Sequence, residues 1–153
     1  MKMLRVALIS LSAATMAAAP VAQKTPQKRA ARPDFSGTWS LDAKASGIQA
    51  TGGLAAPLKV SQTRDRLVVE RGASDGGTIR LTYRLDGTPS TNQYAIGAGR
   101  IVELKSTTRW VGEALEITTP RGVGEPVVET WSITDNVLTI QVAAQKRIYR
   151  KKT

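Results

Sequence analysis

Carboxylates are the side chains in this sequence best suited to acid–base chemistry, because the chain contains no histidine and no cysteine. Glu103, Glu116 and Glu129 lie in segments that alternate like β-strands. A pair such as Glu103 and Glu116 on neighbouring strands has the composition of a general acid and base. An apolar residue directly precedes each of them, however, and this alternation predicts that the carboxylates point to solvent.

The absence of histidine and cysteine also excludes several sites within this chain. Ser-His and Cys-His nucleophiles need a histidine, and the usual zinc and haem sites need histidine or cysteine. No glycine-rich phosphate-binding pattern stands at a strand-to-helix turn. The sequence therefore predicts that the protein is not an enzyme, and that it uses no metal and no cofactor.

Aromatic side chains that share a strand face with aliphatic ones are the better candidates for function. Tyr83 lies on one face of a predicted strand with Ile79, Leu81 and Leu85, and Trp110 shares a face with Val102 and Leu104. Apolar walls with a few polar groups are typical of small-molecule pockets. We therefore predict a ligand site formed by Tyr83, Leu104, Trp110 and Trp131. The alternative is an interior that side chains simply fill, as happens in barrels of about eight strands.

These strands begin at a short motif, Phe35-Ser36-Gly37-Thr38-Trp39, that follows a polar N-terminal stretch. The Gly-x-Trp pair resembles the opening strand of the calycin barrels, which include lipocalins and fatty-acid-binding proteins. More specifically, the stretch from Asp34 to Lys152 resembles the small exported lipocalin-like proteins of bacteria. The segments that carry this second resemblance are Leu41 to Ser46, Leu85-Asp86-Gly87, Thr91-Asn92 and Glu129 to Ser132.

The resemblance implies a structural role for four residues. Gly37 and Trp39 would place a large ring at the closed end of a barrel. In calycins that ring commonly packs against a basic residue of the last strand. Arg147 and Arg150 are the residues that the resemblance suggests for this contact.

The fold expected from the residues themselves is all-β. Segments with a period of two follow one another through short turns, and no amphipathic helix separates them. Parallel strands need long crossover connections, for which the chain has no room. We predict an antiparallel up-and-down meander of about eight or nine strands, closed into a lipocalin-like barrel. Two glycine-rich loops, Gly47 to Gly53 and Asn92 to Gly99, would flank its mouth.

The N-terminus has the pattern of a secretory signal peptide. Lys2 and Arg5 precede an apolar run from Val6 to Ala19 that is too short for a comfortable membrane span. We predict a signal peptide at 1–22, a disordered basic tether at 23–33 and a barrel domain at 34–153. The expected location is periplasmic or secreted, without a stable membrane span. Since the chain has no cysteine, an anchor of the lipoprotein type is excluded.

Export can be tested directly at the N-terminus. Sequencing of the mature protein from the periplasmic or extracellular fraction is expected to find a first residue between Ala18 and Lys24, within the usual signal length of about 15–30 residues. An intact Met1 on that protein would contradict the prediction.

The net charge of +10 allows two interpretations. Basic residues from Lys146 to Lys152 could attract an anionic envelope surface, or they could form a solvated edge and tail. Nucleic acid is not the expected partner, since alternation places Tyr83 and Arg84 on opposite faces. The predicted function is to bind or carry a small apolar or amphipathic molecule in the barrel. The alternative is a non-enzymatic interaction protein with a filled barrel, either envelope-associated or similar to the periplasmic metalloprotease inhibitors. Those inhibitors usually have a disulfide, which this chain lacks.

Overall fold

A computed structural model describes residues 32–95 and 100–153. The predicted signal peptide, and the tether up to residue 31, lie outside the described residues. One short helix, α1 (Ala43–Ser46), and one 3-10 turn (Gly52–Leu54) follow the first strand. The strands are β1 (Gly37–Leu41), β2 (Leu58–Gln62), β3 (Arg66–Gly72), β4 (Thr78–Arg84), β5 (Ser90–Ala95), β6 (Ile101–Val111), β7 (Ala114–Thr119), β8 (Val127–Thr134), β9 (Val137–Val142) and β10 (Gln145–Lys151).

The strands form one antiparallel meander, which confirms the predicted all-β fold. Each strand pairs with its neighbour in sequence, and β1 also pairs with β10, so the sheet runs from β4 through β1 and β10 to β5. The structure has ten strands where about eight or nine were expected. The additional strand is β5, which contains Asn92, a residue that we had placed in a glycine-rich loop. Asn and Gln are uncommon in strands, so propensity alone does not indicate this one.

The closed end of the barrel, where β1 begins, is filled by aromatic side chains. Phe35, Trp39 and Trp131 are at most 1% exposed. The Phe35 ring stacks on Trp110 at a centroid distance of 6.1 Å and meets Trp131 edge-on at 5.9 Å. Offset and edge-on aromatic pairs of this kind add stability beyond the area that they bury. These rings occupy the interior at the closed end.

The chain just before β1 crosses the closed end and is fixed there by one glutamine. The Gln62 side chain accepts a hydrogen bond from the Phe35 N–H at 3.0 Å and donates one to the Pro33 carbonyl at 2.9 Å. The Gln62 N–H in turn donates to the Ser36 hydroxyl at 3.0 Å. Phe35 is therefore held as part of the core although it precedes the first strand.

The barrel is closed between β4 and β5 by side chains, because these two strands have no backbone pairing in the sheet. The Asn92 amide accepts from the Thr82 N–H at 2.7 Å and donates to the Thr82 carbonyl at 3.0 Å. Ser90 accepts from the Arg84 N–H at 2.7 Å, and Thr108 donates to the Arg84 carbonyl. Inward-facing polar side chains thus satisfy backbone groups that an edge strand would otherwise expose.

Within residues 32–95 and 100–153, there is no helix with both the length and the apolar character needed to cross a lipid bilayer.

Candidate ligand-binding cavity

A partly buried ion pair between Arg71 and Glu129 lies inside the barrel, toward the end opposite the aromatic plug formed by Phe35, Trp39, Trp110 and Trp131. We call this the loop end; it carries α1, the 3-10 turn and the connection from β7 to β8. Arg71 continues the inward-facing side of β3 after Leu67 and Val69, and Glu129 shares the inward side of β8 with Trp131. Arg71 Nη1 lies 3.5 Å from Glu129 Oε1, and the side chains are 26% and 17% exposed. The expectation that Glu129 points to solvent is therefore wrong.

The pair belongs to a polar cluster inside the barrel. The Trp131 indole N–H donates to Glu129 Oε2 at 3.1 Å. The hydroxyls of Tyr83 and Tyr94 lie 3.4 Å apart. Arg71 Nε and Nη2 are buried and have no hydrogen-bond partner. Buried polar nitrogens are rarely left unpaired, and each such group needs an explanation.

Burial controls the protonation states in this cluster. Desolvation raises the pKa of Tyr83 far above its ordinary value of 10.0, although the charge of Arg71 acts in the opposite direction. Desolvation also raises the pKa of Tyr149, against the nearby positive charge of Arg147. Burial by itself would lower the pKa of Arg71, but the Glu129 carboxylate, together with smaller contributions from Tyr83 and Tyr149, outweighs it and the pKa is raised. The tyrosines therefore remain neutral hydrogen-bonding groups beside a charged guanidinium.

Within the described residues, one cavity at the loop end includes Glu129 and another includes Arg71 together with Arg147. The larger one, of about 530 Å³, includes Glu129, and its other walls come from β5, β6 and the β7–β8 connection: Tyr94, Val102, Leu104, Thr119, Pro120, Arg121, Gly122 and Val127. The smaller one, of about 270 Å³, includes Arg71, Arg147 and Tyr149, with walls from Gly53, Leu54, Ala56, Leu58, Gly72 and Ile140. The first is mainly apolar, and the second contains two guanidinium groups.

A more spacious hollow, of about 870 Å³, lies at the closed end, among Arg32, Arg64, Asp86, Arg109 and other mostly polar residues. The Arg32 guanidinium covers the Trp110 ring there, 5.2 Å from its centroid. This hollow is open to solvent and separated from the barrel interior by the aromatic plug. Water can solvate the exposed charged groups of this hollow, so they do not call for a ligand. We therefore place the candidate site at the loop end.

The four residues predicted to bind a ligand are not brought together. Leu104 lines the larger cavity. Tyr83 and Trp131 are 2% and 0% exposed. They belong to the polar cluster through the Tyr83 hydroxyl and the Trp131 indole N–H. Trp110 lies at the closed end against Phe35, far along β6 from Leu104. The face shared by Trp110 and Leu104 was read correctly, but the strand is long enough for its two ends to serve different halves of the barrel.

The basic residue that lies against Trp39 is not one of the two that the resemblance suggested. Lys151 Nζ lies 5.5 Å from the Trp39 ring centroid. Arg150 instead pairs with Asp42 at 2.7 Å, and Arg147 lines the smaller cavity. A Cβ atom on Gly37, whose φ is +144°, would lie 2.8 Å from the Lys151 side chain. Glycine is therefore needed at this position for the lysine stem to lie across the tryptophan.

Comparison with known proteins adds information on the fold. No protein-family model matches the sequence, and a search of curated proteins gave no match. Solved structures do match. The fatty acid transporter REP1-NXSQ is 16% identical, covers 78% of this chain and 97% of its own length, and has a TM-score of 0.51. Fatty-acid-binding protein 1 of Echinococcus granulosus is 12% identical, with coverages of 78% and 98% and a TM-score of 0.51.

A third structure, apo lipid binding protein 8 of Caenorhabditis elegans, is 14% identical over 77% of this chain and 95% of its own, with a TM-score of 0.50. The barrel architecture of this chain is similar to that of these three structures. At these identities the likeness concerns the architecture alone, and the residues in the cavities must be judged by their own chemistry.

Arg71 and Glu129 were the functional candidates that sequence reasoning missed, although a signal for each was present. Counting in steps of two from Trp131 places Glu129 on the buried face of its strand, and counting from Leu67 does the same for Arg71. The alternation with apolar residues led us to assign Glu129 to solvent, and we did not single out Arg71, since charged residues are almost never buried unless they are paired. The pairing joins β3 to β8, and no local pattern in the sequence predicts it.

Proposed function

We propose that this protein is exported and binds a small apolar or amphipathic molecule inside the barrel, at the loop end. The observation that carries the proposal is the 530 Å³ cavity with mainly apolar walls beside a buried polar cluster. This is the usual composition of a small-molecule site, in which apolar walls supply affinity and a few polar groups orient the ligand. The names of the matched structures, which include a fatty acid transporter and a lipid binding protein, support a ligand of this class.

Binding would derive mainly from apolar area removed from water, at roughly 25 cal/mol per Å² before the cost of association. No chemical step is part of the proposal, and the protein acts as a binder or carrier. The second candidate is a non-enzymatic interaction protein whose barrel is filled, either protease-inhibitor-like or envelope-associated. The solidly packed aromatic half of the interior favours this candidate, so the two must be separated by experiment.

The variant Leu104→Trp distinguishes a ligand-binding barrel from a filled one. Leu104 is half-buried on β6 and lines the larger cavity. If that cavity accepts a guest, the added ring fills empty space. Saturable binding of the neutral fluorescent probe N-phenyl-1-naphthylamine should then weaken about tenfold or more, with little change in the free energy of unfolding. In a filled interior the same change overpacks the core, which costs roughly 1–3 kcal/mol.

The matched control is Lys105→Trp, which adds the same ring to the exposed face of the same strand. Probe binding to this variant should equal that of the unmodified protein. The binding proposal fails if the unmodified protein shows no saturable probe binding while Leu104→Trp is clearly destabilised, and the filled-barrel candidate then takes its place.

A further inference from the structure

We propose that the open edge of β6, at residues 101–105, is a binding site for an extended segment of a partner protein, which pairs with it as an added antiparallel strand. The inference goes beyond the proposed function and does not rest on it, because it concerns the backbone of one strand and a polypeptide ligand. Addition of a strand to an exposed sheet edge is a recurrent mode of peptide recognition. The backbone supplies hydrogen bonds, and alternate side chains supply specificity.

The edge is open because β6 is longer than β7, the strand beside it. β6 pairs with β5 over residues 101–106, but with β7 only over residues 107–111. If β7 continued in the same register, Lys105 would face Pro120. Proline has no N–H to donate, so the ladder between β6 and β7 ends before this position.

The turn between β6 and β7 shows which backbone groups of the edge are open. Val111 and Ala114 are directly opposite each other across a two-residue loop, and such a pair exchanges both of its hydrogen bonds. Every second residue back along β6 therefore turns its N–H and carbonyl toward the β7 side. At the edge these residues are Ile101, Glu103 and Lys105. Among the residues that the structure describes, none provides them with a backbone partner on this side.

The space beside the open edge is hollow. Val102 and Leu104 alternate with the three open residues and line the larger cavity, while residues 120–122 line it from the β7–β8 connection. An added strand would occupy the position that β7 leaves after Thr119. Every second side chain of that strand would point toward Val102 and Leu104, so we expect apolar residues at these positions of the partner.

The outer face of the edge specifies charge. Glu103 and Lys105 are exposed, and neither forms a salt bridge within the part of the chain that the structure describes. Glu103 accepts only a long hydrogen bond, of 3.4 Å, from Gln93. Opposite charges that face each other across a strand pair stabilise it. An antiparallel partner is therefore expected to place an acidic residue opposite Lys105 and, two residues later, a basic residue opposite Glu103.

A second copy of this chain does not satisfy the edge. The register that would use all three open residues of both copies places Glu103 opposite Glu103 of the second copy, and like charges directly opposite are destabilising. The register shifted by two residues pairs Glu103 with Lys105. It also sets Ile101 against Thr107, which already pairs with β7. We therefore assign the edge to a different protein, with the pattern acidic, apolar, basic, apolar.

The test is fluorescence anisotropy of the full chain with two peptides that carry fluorescein at the C-terminal end. The matching peptide is acetyl-Glu-Leu-Lys-Val-Thr-Val, and the charge-reversed peptide is acetyl-Lys-Leu-Glu-Val-Thr-Val. The unmodified protein should bind the matching peptide at least about fivefold more tightly, as expected for two cross-strand charge pairs. The double change Glu103→Lys with Lys105→Glu should invert this preference. The control Glu70→Arg with Arg80→Glu exchanges a charge pair on the outer faces of β3 and β4 and should leave it unchanged.

A second comparison separates the backbone of the edge from its side chains. Glu103→Gln keeps the open N–H and should still bind both peptides, with a smaller difference between them. Glu103→Pro removes that N–H and should bind neither. Proline is tolerated on an edge strand where its missing N–H faces solvent, so the circular dichroism spectrum should remain that of the unmodified protein. If Glu103→Pro fails to fold, the charge exchange decides alone.

The outcomes identify the occupant of the edge. A peptide preference that inverts with the charge exchange supports the proposal. Binding of neither peptide overturns it, and so does binding that the charge exchange leaves unaltered. A dimer of the unmodified protein in analytical ultracentrifugation that Glu103→Pro abolishes would show that a second copy occupies the edge, and it would also overturn the proposal. Binding of N-phenyl-1-naphthylamine, measured without peptide, tests the proposed function separately.

Discussion

Replacing Trp39 with alanine is expected to lower the free energy of unfolding by about 3–5 kcal/mol, the usual cost of deleting a fully buried large aromatic ring. The ring is 1% exposed. Its indole N–H donates to the Phe35 carbonyl at 3.0 Å, and its face lies under the Lys151 ammonium. Alanine would leave a cavity at the closed end, a carbonyl without its donor and a lysine without its aromatic surface.

Urea-induced unfolding followed by circular dichroism would measure this effect, with the m-value checked for a constant two-state transition. Trp110→Ala is the matched control, because Trp110 is half-buried at the same end of the barrel and should cost less. A loss smaller than about 0.5 kcal/mol for Trp39→Ala is the range of surface substitutions. Such a result would mean that the ring does not hold the closed end together.

Alternation along the strands is what made the core predictable from the sequence. The pairs Leu67 and Val69, Leu115 and Ile117, and Leu138 and Ile140 each repeat at a spacing of two, and all six side chains are at most 3% exposed. In an antiparallel meander, neighbouring strands must turn the same kind of face inward. A local rule therefore predicts much of the packing without knowledge of any particular contact.

The choice among neighbouring basic residues at the C-terminus was not predictable in the same way. Arg150, Lys151 and Lys152 are consecutive, and any of them has the charge needed to cover Trp39. The register between β1 and β10 decides, since it places Lys151 opposite Trp39 and Arg150 opposite Ser40. Register of a closing strand depends on the whole circuit of the barrel, so it cannot be read from either segment alone.

The candidate site shows a different limit on what the sequence can predict. Its apolar wall was partly predicted through Leu104, whereas Glu129 was assigned to solvent and Arg71 was not singled out, since charged residues are rarely buried. Their burial is tolerable only because each neutralises the other across the barrel at 3.5 Å. Breaking such a pair leaves an uncompensated buried charge, which is strongly destabilising. A charged side chain on the inward face of a strand contradicts the local pattern of apolar residues. Its charge is neutralised by a partner that is distant in sequence.

Asn92 provides the second large effect, because it closes the barrel where the sheet does not. The side chain is 5% exposed and satisfies both the N–H and the carbonyl of Thr82. Asn92→Leu keeps a similar volume but leaves two backbone groups of β4 unpaired. Each buried group left in this way costs about 1–3 kcal/mol, so we expect a total loss of roughly 2–6 kcal/mol in the free energy of unfolding.

Hydrogen exchange would show where in the barrel Asn92→Leu acts, as well as how large the loss of stability is. The Thr82 amide should lose its protection in Asn92→Leu, while amides in the β8–β9 hairpin keep theirs relative to global stability. Gln93→Leu is the matched control, since its side chain is exposed on the opposite face of β5, and it should change stability by no more than about 0.5 kcal/mol. Equal effects of the two leucine variants, or an unaltered Thr82 amide, would show that the β4–β5 gap is held by something other than this amide. The expected result would instead show that β4 and β5 can separate locally when this amide is lost. That separation would occur beside the Tyr83–Tyr94 contact, and hence beside the larger cavity.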